Sequence, residues 1–335
     1  MTPLSTGDLA THFSTRLHMS RVKTEVDTLS NELASGLRED IAAQQGADFS
    51  RISALERSIE ITDRYSAANA DTTLWLDTAQ TSLDAVQRTV SQSAAQFMTA
   101  ATEGSLSNLE SASTSAERAL SSVMSKLNTT VGGAAIFGGT ETGSSPLADS
   151  ETMLTVLSSA LAGATTTNDA LAAIDAWFAD PVAGFSAAIY RGGASDAVQL
   201  LSSEETTLSF NIRANDPALI DTIKALATAA MATEPVFAGD AAAQTEMIRS
   251  ASEQLFTSEA RLATLRGGLG ALQAQAEADS VLLLSMRSGY EMAMSDIYAA
   301  DPYETASSLD AATLQLEMIY SITARISDLT LARYL

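Results

Sequence analysis

The sequence predicts a mainly α fold: an elongated bundle of long coiled-coil-like helices drawn from both chain ends, with a small α+β domain inserted between them. Three observations carry this. Apolar or small residues recur every three, then four, positions from Ile248 to Ile297 (Leu255, Leu262, Leu265, Leu269, Leu272, Ala276, Leu283, Met286, Tyr290), broken only by Ser258 and Asp279. That is a coiled-coil seam held for about seven heptads. The same alternation runs through Leu76, Ala79, Leu83, Val86, Val90 and Phe97. Between the two seams, Val198 and Leu200, then Leu208, Phe210 and Ile212, alternate with period two, the spacing of paired strands.

In chain order, Met19, Val22, Val26, Leu29 and Leu33 set the face of a first helix over residues 8–35, with Phe13 and Leu17 continuing an apolar face towards the N-terminus. Gly36 suits the position just past its end. Residues 37–50 read as a connector. A second helix spans about 50–103, ending at Gly104, with Trp75 as a packing anchor beside its seam. A third carries Leu109, Ala116, Leu120, Val123 and Leu127 on one face. The paired glycines of 131–140 predict a turn, a short strand and a turn.

From 149 to 243 the pattern shortens. Helices are expected near Met153–Leu161, Ala170–Phe178 and Ala218–Thr228, with Asp180-Pro181 and Asp216-Pro217 as stop or start signals. Ser202-Ser203-Glu204-Glu205 joins the two strand runs into a hairpin. The long seam follows. It contains Gly267, Gly268 and Gly270, each costing about 1 kcal/mol in a helix interior, yet its phase does not slip there. A continuous helix is therefore expected, with the glycines admitting a closely packed neighbour. Asp301-Pro302-Tyr303-Glu304 restarts the chain as a final helix whose face is Leu309, Ala312, Leu316, Ile319, Ile322, Ile326 and Leu329. The expected domains are residues 1–45 with 301–335 as terminal assembly helices, 46–148 with 244–300 as the long-helix core, and 149–243 as a small outer α+β domain.

Composition narrows the function. The net charge of -22 excludes nucleic acid as a natural partner. Lys and Arg form no cluster for an anionic membrane, and no apolar run is long enough to span one. The absence of cysteine removes disulfides and thiol chemistry. His12 and His18 are six apart, on different faces of a helix, and make a poor metal pair. The carboxylates are spread along helix faces, no Ser/His/Asp arrangement is supported, and neither catalysis nor a cofactor is expected. The N-terminus lacks the basic region and apolar core of a secretory signal. The two terminal helices have apolar stripes and no adjacent compact domain, so they are expected to pair with each other, with other subunits, or both.

The residues resemble the flagellin family. Leu33-Ala34-Ser35-Gly36-Leu37-Arg38 is similar to the turn after that family's first helix, and residues 77–86 (DTAQTSLDAV) to its second-helix segment. Ile136-Phe137-Gly138-Gly139-Thr140 and the ending Arg325-Ile326-Ser327-Asp328-Leu329-Thr330-Leu331-Ala332-Arg333-Tyr334-Leu335 resemble the flagellin-like hook-associated members more than filament flagellins. Residues 39–48 depart from the family's usual Ser-x-x-Asp-Asp segment, and Pro302 stands where the family is usually free of proline.

The resemblance implies a structural subunit of the bacterial flagellum, joining hook to filament and exported unfolded without a cleaved signal peptide. Its implied partners are other flagellar subunits (hook-associated protein and flagellin), copies of itself, and an export chaperone. Filament flagellin is the close alternative, and a cytoplasmic helical adaptor rod shares the heptads. The residues expected to pack between subunits are Met19, Val22, Val26, Leu29, Leu33, Leu309, Leu316, Ile319, Ile326 and Leu329, ordered on assembly because isolated helices are marginal in water.

Overall fold

The computed structural model describes residues 6–39, 49–193 and 197–331, with the side chains of 6–9, 11, 12 and 326–331 outside that description. The chain is mainly α. Its elements are α1 (Thr6–Ser35), α2 (Ser50–Glu103), α3 (Leu106–Leu127), β1 (Thr130–Val131), β2 (Ala134–Ala135), α4 (Ser150–Leu161), α5 (Thr167–Ala179), α6 (Phe185–Ala188), β3 (Val198–Leu201), β4 (Thr207–Phe210), α7 (Pro217–Ala230), α8 (Ala241–Tyr298) and α9 (Pro302–Leu331). They fall into two compact units, residues 1–62 with 285–335, and residues 63–284.

In the first unit α1 and α9 run antiparallel. Gly36 ends α1 in the left-handed region at φ 73°, and its carbonyl accepts from Ala300 N at 2.9 Å while Arg38 N donates to Tyr298 O at 2.8 Å. Those two bonds clamp the end of α1 to the corner between α8 and α9. Asp301 caps α9 by accepting from Tyr303 N at 2.8 Å and Glu304 N at 3.1 Å, and Pro302 occupies the first helical position, where its missing N–H costs nothing. Pro302 thus starts a helix rather than breaking one.

The second unit is built on α2 against α8, also antiparallel. Asp77 accepts from Gln273 at 2.6 Å, Asp84 pairs with Arg266 at 3.0 Å, and Ala94 O accepts from Ser252 at 2.8 Å. Each step forward along α2 is matched by a step back along α8, which places the two seams in register. Leu76, Leu83, Val86, Val90 and Phe97 meet Ile248, Ala251, Leu255, Leu262, Leu269 and Ala276 in one buried core that α3, α7 and the short elements extend. Trp75 is buried as expected, edge-on to Phe210 at 6.3 Å.

Both polar breaks in the long seam are explained by this packing. Ser258 turns its hydroxyl onto Leu255 O at 2.9 Å. Asp279, 5 % exposed, accepts from Ser202 Oγ at 2.6 Å and from Gln275 Nε2 at 3.1 Å. Asn69 of α2 donates to Ser202 Oγ at 2.9 Å and to Ala276 O at 3.0 Å. The end of β3 is therefore pinned across both long helices by groups that satisfy one another.

The expected β-hairpin is present, with Val198 opposite Phe210 and Leu200 opposite Leu208. Gly132 and Gly133, both at positive φ, form the two-residue turn joining β1 to β2. The paired glycines predict one strand there; two short ones form. A further single turn, α6, not signalled by periodicity, stacks Phe185 on Phe178 at 5.4 Å.

The helix through Gly267, Gly268 and Gly270 is continuous, as the unbroken seam required. The expected reason for the glycines is overturned. Among the described residues, a Cβ built at any of the three meets nothing within 4 Å, so no described helix needs their smallness.

Candidate subunit-packing surface

The terminal helices carry the expected assembly residues, and the structure sorts these by what already covers them. Val22 is buried and Ile319 is 8 % exposed. Met19, Val26, Leu29, Leu309 and Leu316 are half-buried and Leu33 is exposed, while the side chains of Ile326 and Leu329 lie outside the described residues. His18 Nε2 lies 3.2 Å from Gln315 Nε2. With the Gly36 and Ala300 bond, that contact sets Val22 near Ala312 and Val26 near Leu309. Much of the three-four seam is thus spent joining α1 to α9 within one chain.

A second face remains. Phe13 and Leu17 on α1 are 71 % and 46 % exposed, and Leu314, Met318 and Ile322 on α9 are all more than half exposed. At 3.6 residues per turn, Phe13 and Leu17 lie opposite the Val22 stripe, and Leu314 and Met318 opposite the Ala312 stripe. Fully covering a side chain of this size is worth roughly 1.5–3 kcal/mol. The sequence reading missed Leu314 and Met318 because the regular seam beside them matched the heptad template and they did not. Their own spacing, Leu314, Met318, Ile322, was the available signal. Val281, Leu282 and Leu284 of α8 are likewise exposed, beside a buried Leu283; an apolar run all round a helix calls for cover on more than one side.

No group of three or more metal-ligating side chains occurs among the described residues. No described helix is long and apolar enough to cross a membrane. An open groove of about 800 Å³ lies between the β4–α7 segment and α8. Its charged groups are engaged structurally: Asp216 caps α7 by accepting from Ala218 N, and Arg261 pairs with Asp221. The resolved carboxyl shifts also lie at caps. Asp149 and Asp169 are held below the ordinary carboxylate range, Asp149 by the Thr152 backbone N–H first and Asp169 by the Thr166 hydroxyl.

Comparison with known proteins gives this surface a context. The family model of the bacterial flagellin N-terminal helical region matches residues 8–142. Among solved structures, Bacillus cereus FlgL is similar in fold, with a TM-score of 0.52 and 15% identity over 72% of this chain and 98% of that one. A putative flagellar hook-associated protein from Vibrio parahaemolyticus matches with a TM-score of 0.42 and 16% identity, over 72% of this chain and 96% of that one. No curated protein matches the chain by sequence. The first match covers the α1, α2, α3 and β1–β2 segment; the C-terminal part of the resemblance, residues 325–335, lies outside it. Residues 8–142 are therefore similar to the N-terminal helical region of bacterial flagellin.

Proposed function

We propose that this chain is an extracellular structural subunit of the bacterial flagellum, joining hook to filament by helix packing between subunits. One observation carries the reading: α1 and α9 bind each other, yet keep Phe13, Leu17, Leu314 and Met318 in solvent on their far sides, and leave the expected seam residue Ile322 exposed beside them. A helix pair that served only its own chain would have no use for a second apolar face. The flagellin N-terminal region and the likeness in fold to Bacillus cereus FlgL support the flagellar assignment. The junction, rather than the filament, is favoured by the resemblance of Phe137-Gly138-Gly139 and of the Tyr334-Leu335 ending, the latter outside the described residues.

In this reading residues 1–45 with 301–335 form the assembly domain, 46–148 with 244–300 the core bundle, and 149–243 an outer domain. Met19, Val22, Val26, Leu29, Leu33, Leu309, Leu316 and Ile319 build and present the helix pair for packing between subunits; Ile326 and Leu329, whose side chains lie outside the described residues, are assigned to the same packing. The partners are hook-associated protein, flagellin and further copies, with an export chaperone before assembly. The role is structural and uses no cofactor.

A tagged chain imaged on intact cells should label the base of each filament, and a deletion strain should lose motility. Label along whole filaments, with long polymers formed by the pure protein, would make it a filament flagellin. Label confined to the cytosol would remove it from the flagellum.

A further inference from the structure

In the second unit, the hairpin leaves one strand edge open beside the groove on α8. Ser202 N donates to Thr206 O at 3.0 Å and closes the hairpin. Bonded pairs alternate from that point. Leu200–Leu208 and Val198–Phe210 exchange bonds, while Thr207, Ser209 and Asn211 turn their N–H and C=O groups away from β3. On the outer side of β3, Leu201 O is taken by the Thr72 hydroxyl at 2.8 Å. Among the described residues, nothing does the same for the outward backbone groups of Ser209 and Asn211. Open edges are normally blunted by charge or proline, yet residues 206–212 hold neither. The groove of about 800 Å³ lies against this edge, with Ser209, Asn211 and Ile212 on one wall and no described β3 residue lining it. The opposite wall is one stripe of α8, Arg261, Leu265, Gly268, Leu269 and Leu272, spaced by three and four residues. Gly268 stands at its middle, where an added Cβ would meet nothing within 4 Å, so the stripe has a notch between Leu265 and Leu272. Glycine weakens a helix interior, and no described neighbour explains it there. Residues 267–276 carry no charge.

We propose that this groove binds an extended, uncharged segment of a partner polypeptide, which adds as a strand to the open edge of β4 and sets one large apolar side chain into the Gly268 notch. The inference goes beyond the structural-subunit role and does not depend on it. The occupant follows from the two walls. A row of outward N–H and C=O groups at strand spacing is matched by another backbone in extended form. The charge-free centre selects a segment without Asp, Glu, Lys or Arg, because an ion there would lose its hydration without gaining a partner. From Arg261 to Leu272, α8 rises roughly 17 Å at 1.5 Å per residue, the length of about five residues of strand.

The probe is a panel of uncharged peptides of about seven residues, Thr alternating with Val and the central position Phe, Leu or Ala, titrated against the full chain by fluorescence anisotropy. The Phe and Leu peptides bind saturably, about tenfold or more tighter than the Ala peptide. Saturation slows amide exchange at Ser209 and Asn211. N-methylating the peptide on the edge that faces β4 weakens binding about tenfold, whereas the same change on its other edge does not. Gly268→Leu fills the notch, keeps the wild-type circular dichroism, and removes the preference for Phe and Leu. No saturable binding by any of the peptides, equal loss on N-methylating either edge, or an unchanged preference in folded Gly268→Leu overturns the proposal. So does sedimentation velocity showing that the chain alone dimerises as Ser209 and Asn211 become protected, which would make the occupant a second copy. Slow exchange at both amides in the free monomer would show the edge covered by the chain itself, and overturns it equally.

Discussion

Replacing Gly267, Gly268 and Gly270 with alanine should stabilise the free protein. All three lie inside α8, none has a positive φ, and an added methyl group at each meets open space. The gain comes from the unfolded chain, which loses conformational freedom it would otherwise surrender on folding. At about 0.5–1 kcal/mol per site, the triple variant gains roughly 1.5–3 kcal/mol. For a unit of this size that corresponds to a rise in melting temperature of about 3–12 °C at 2–4 °C per kcal/mol. Differential scanning calorimetry on the wild type, the single variants and the triple variant measures it. Gly184→Ala is the contrasting control, because a Cβ there would lie 2.0 Å from Trp177 O; it should destabilise strongly. A triple variant that melts lower than wild type would refute the open-space argument and restore a close intrachain neighbour. A variant that melts higher but fails to enter flagella would place that neighbour in another subunit.

Further perturbations separate the remaining links. Asp279→Ala strands the Ser202 hydroxyl and the Asn69 network, and should cost about 1–3 kcal/mol in urea unfolding while leaving α1 and α9 helical by hydrogen exchange. Ile319→Asp puts a carboxylate into the α1–α9 seam and should expose both helices to limited proteolysis; Met318→Asp, on the far side, should not. The Asp149 and Asp169 carboxyls sit below their unfolded values, so their contribution is present above the unfolded pKa of about 3.9 and is lost as pH falls through the folded value. NMR titration should show both midpoints below 3.9, and Asp149→Asn should flatten the acid limb of the stability curve; midpoints at or above the unfolded value would sink that assignment.

Much of this fold was legible because long helices repeat their signal. The Leu76 to Phe97 and Ile248 to Ile297 seams each carry many turns of one phase, so three local glycines could not outvote them. Asp301-Pro302 and Asp216-Pro217 were legible for a different reason: a cap and a proline at the first helical position state their chemistry within two residues. Short elements were harder. Phe185–Ala188 is a single turn, held by stacking against Phe178 rather than by its own periodicity. The candidate surface was half legible. The heptad template found Val22 and Ile319, which the chain buries itself, and hid Leu314 and Met318, which it does not. Periodicity reports that a face is apolar; only the packing shows whether the cover comes from the same chain. The glycines failed in the opposite sense, because smallness suggested a neighbour that the chain does not supply.

The central claim is that the far faces of α1 and α9 hold subunits together. Its most direct measurement is flagellar incorporation of a Leu314→Asp/Met318→Asp variant in a deletion strain, scored alongside the amount exported and its circular dichroism. The account predicts wild-type export and helicity, with no retention at the flagellum and no motility, because the two carboxylates would be desolvated at the contact. Wild-type retention and swimming by that variant would contradict it.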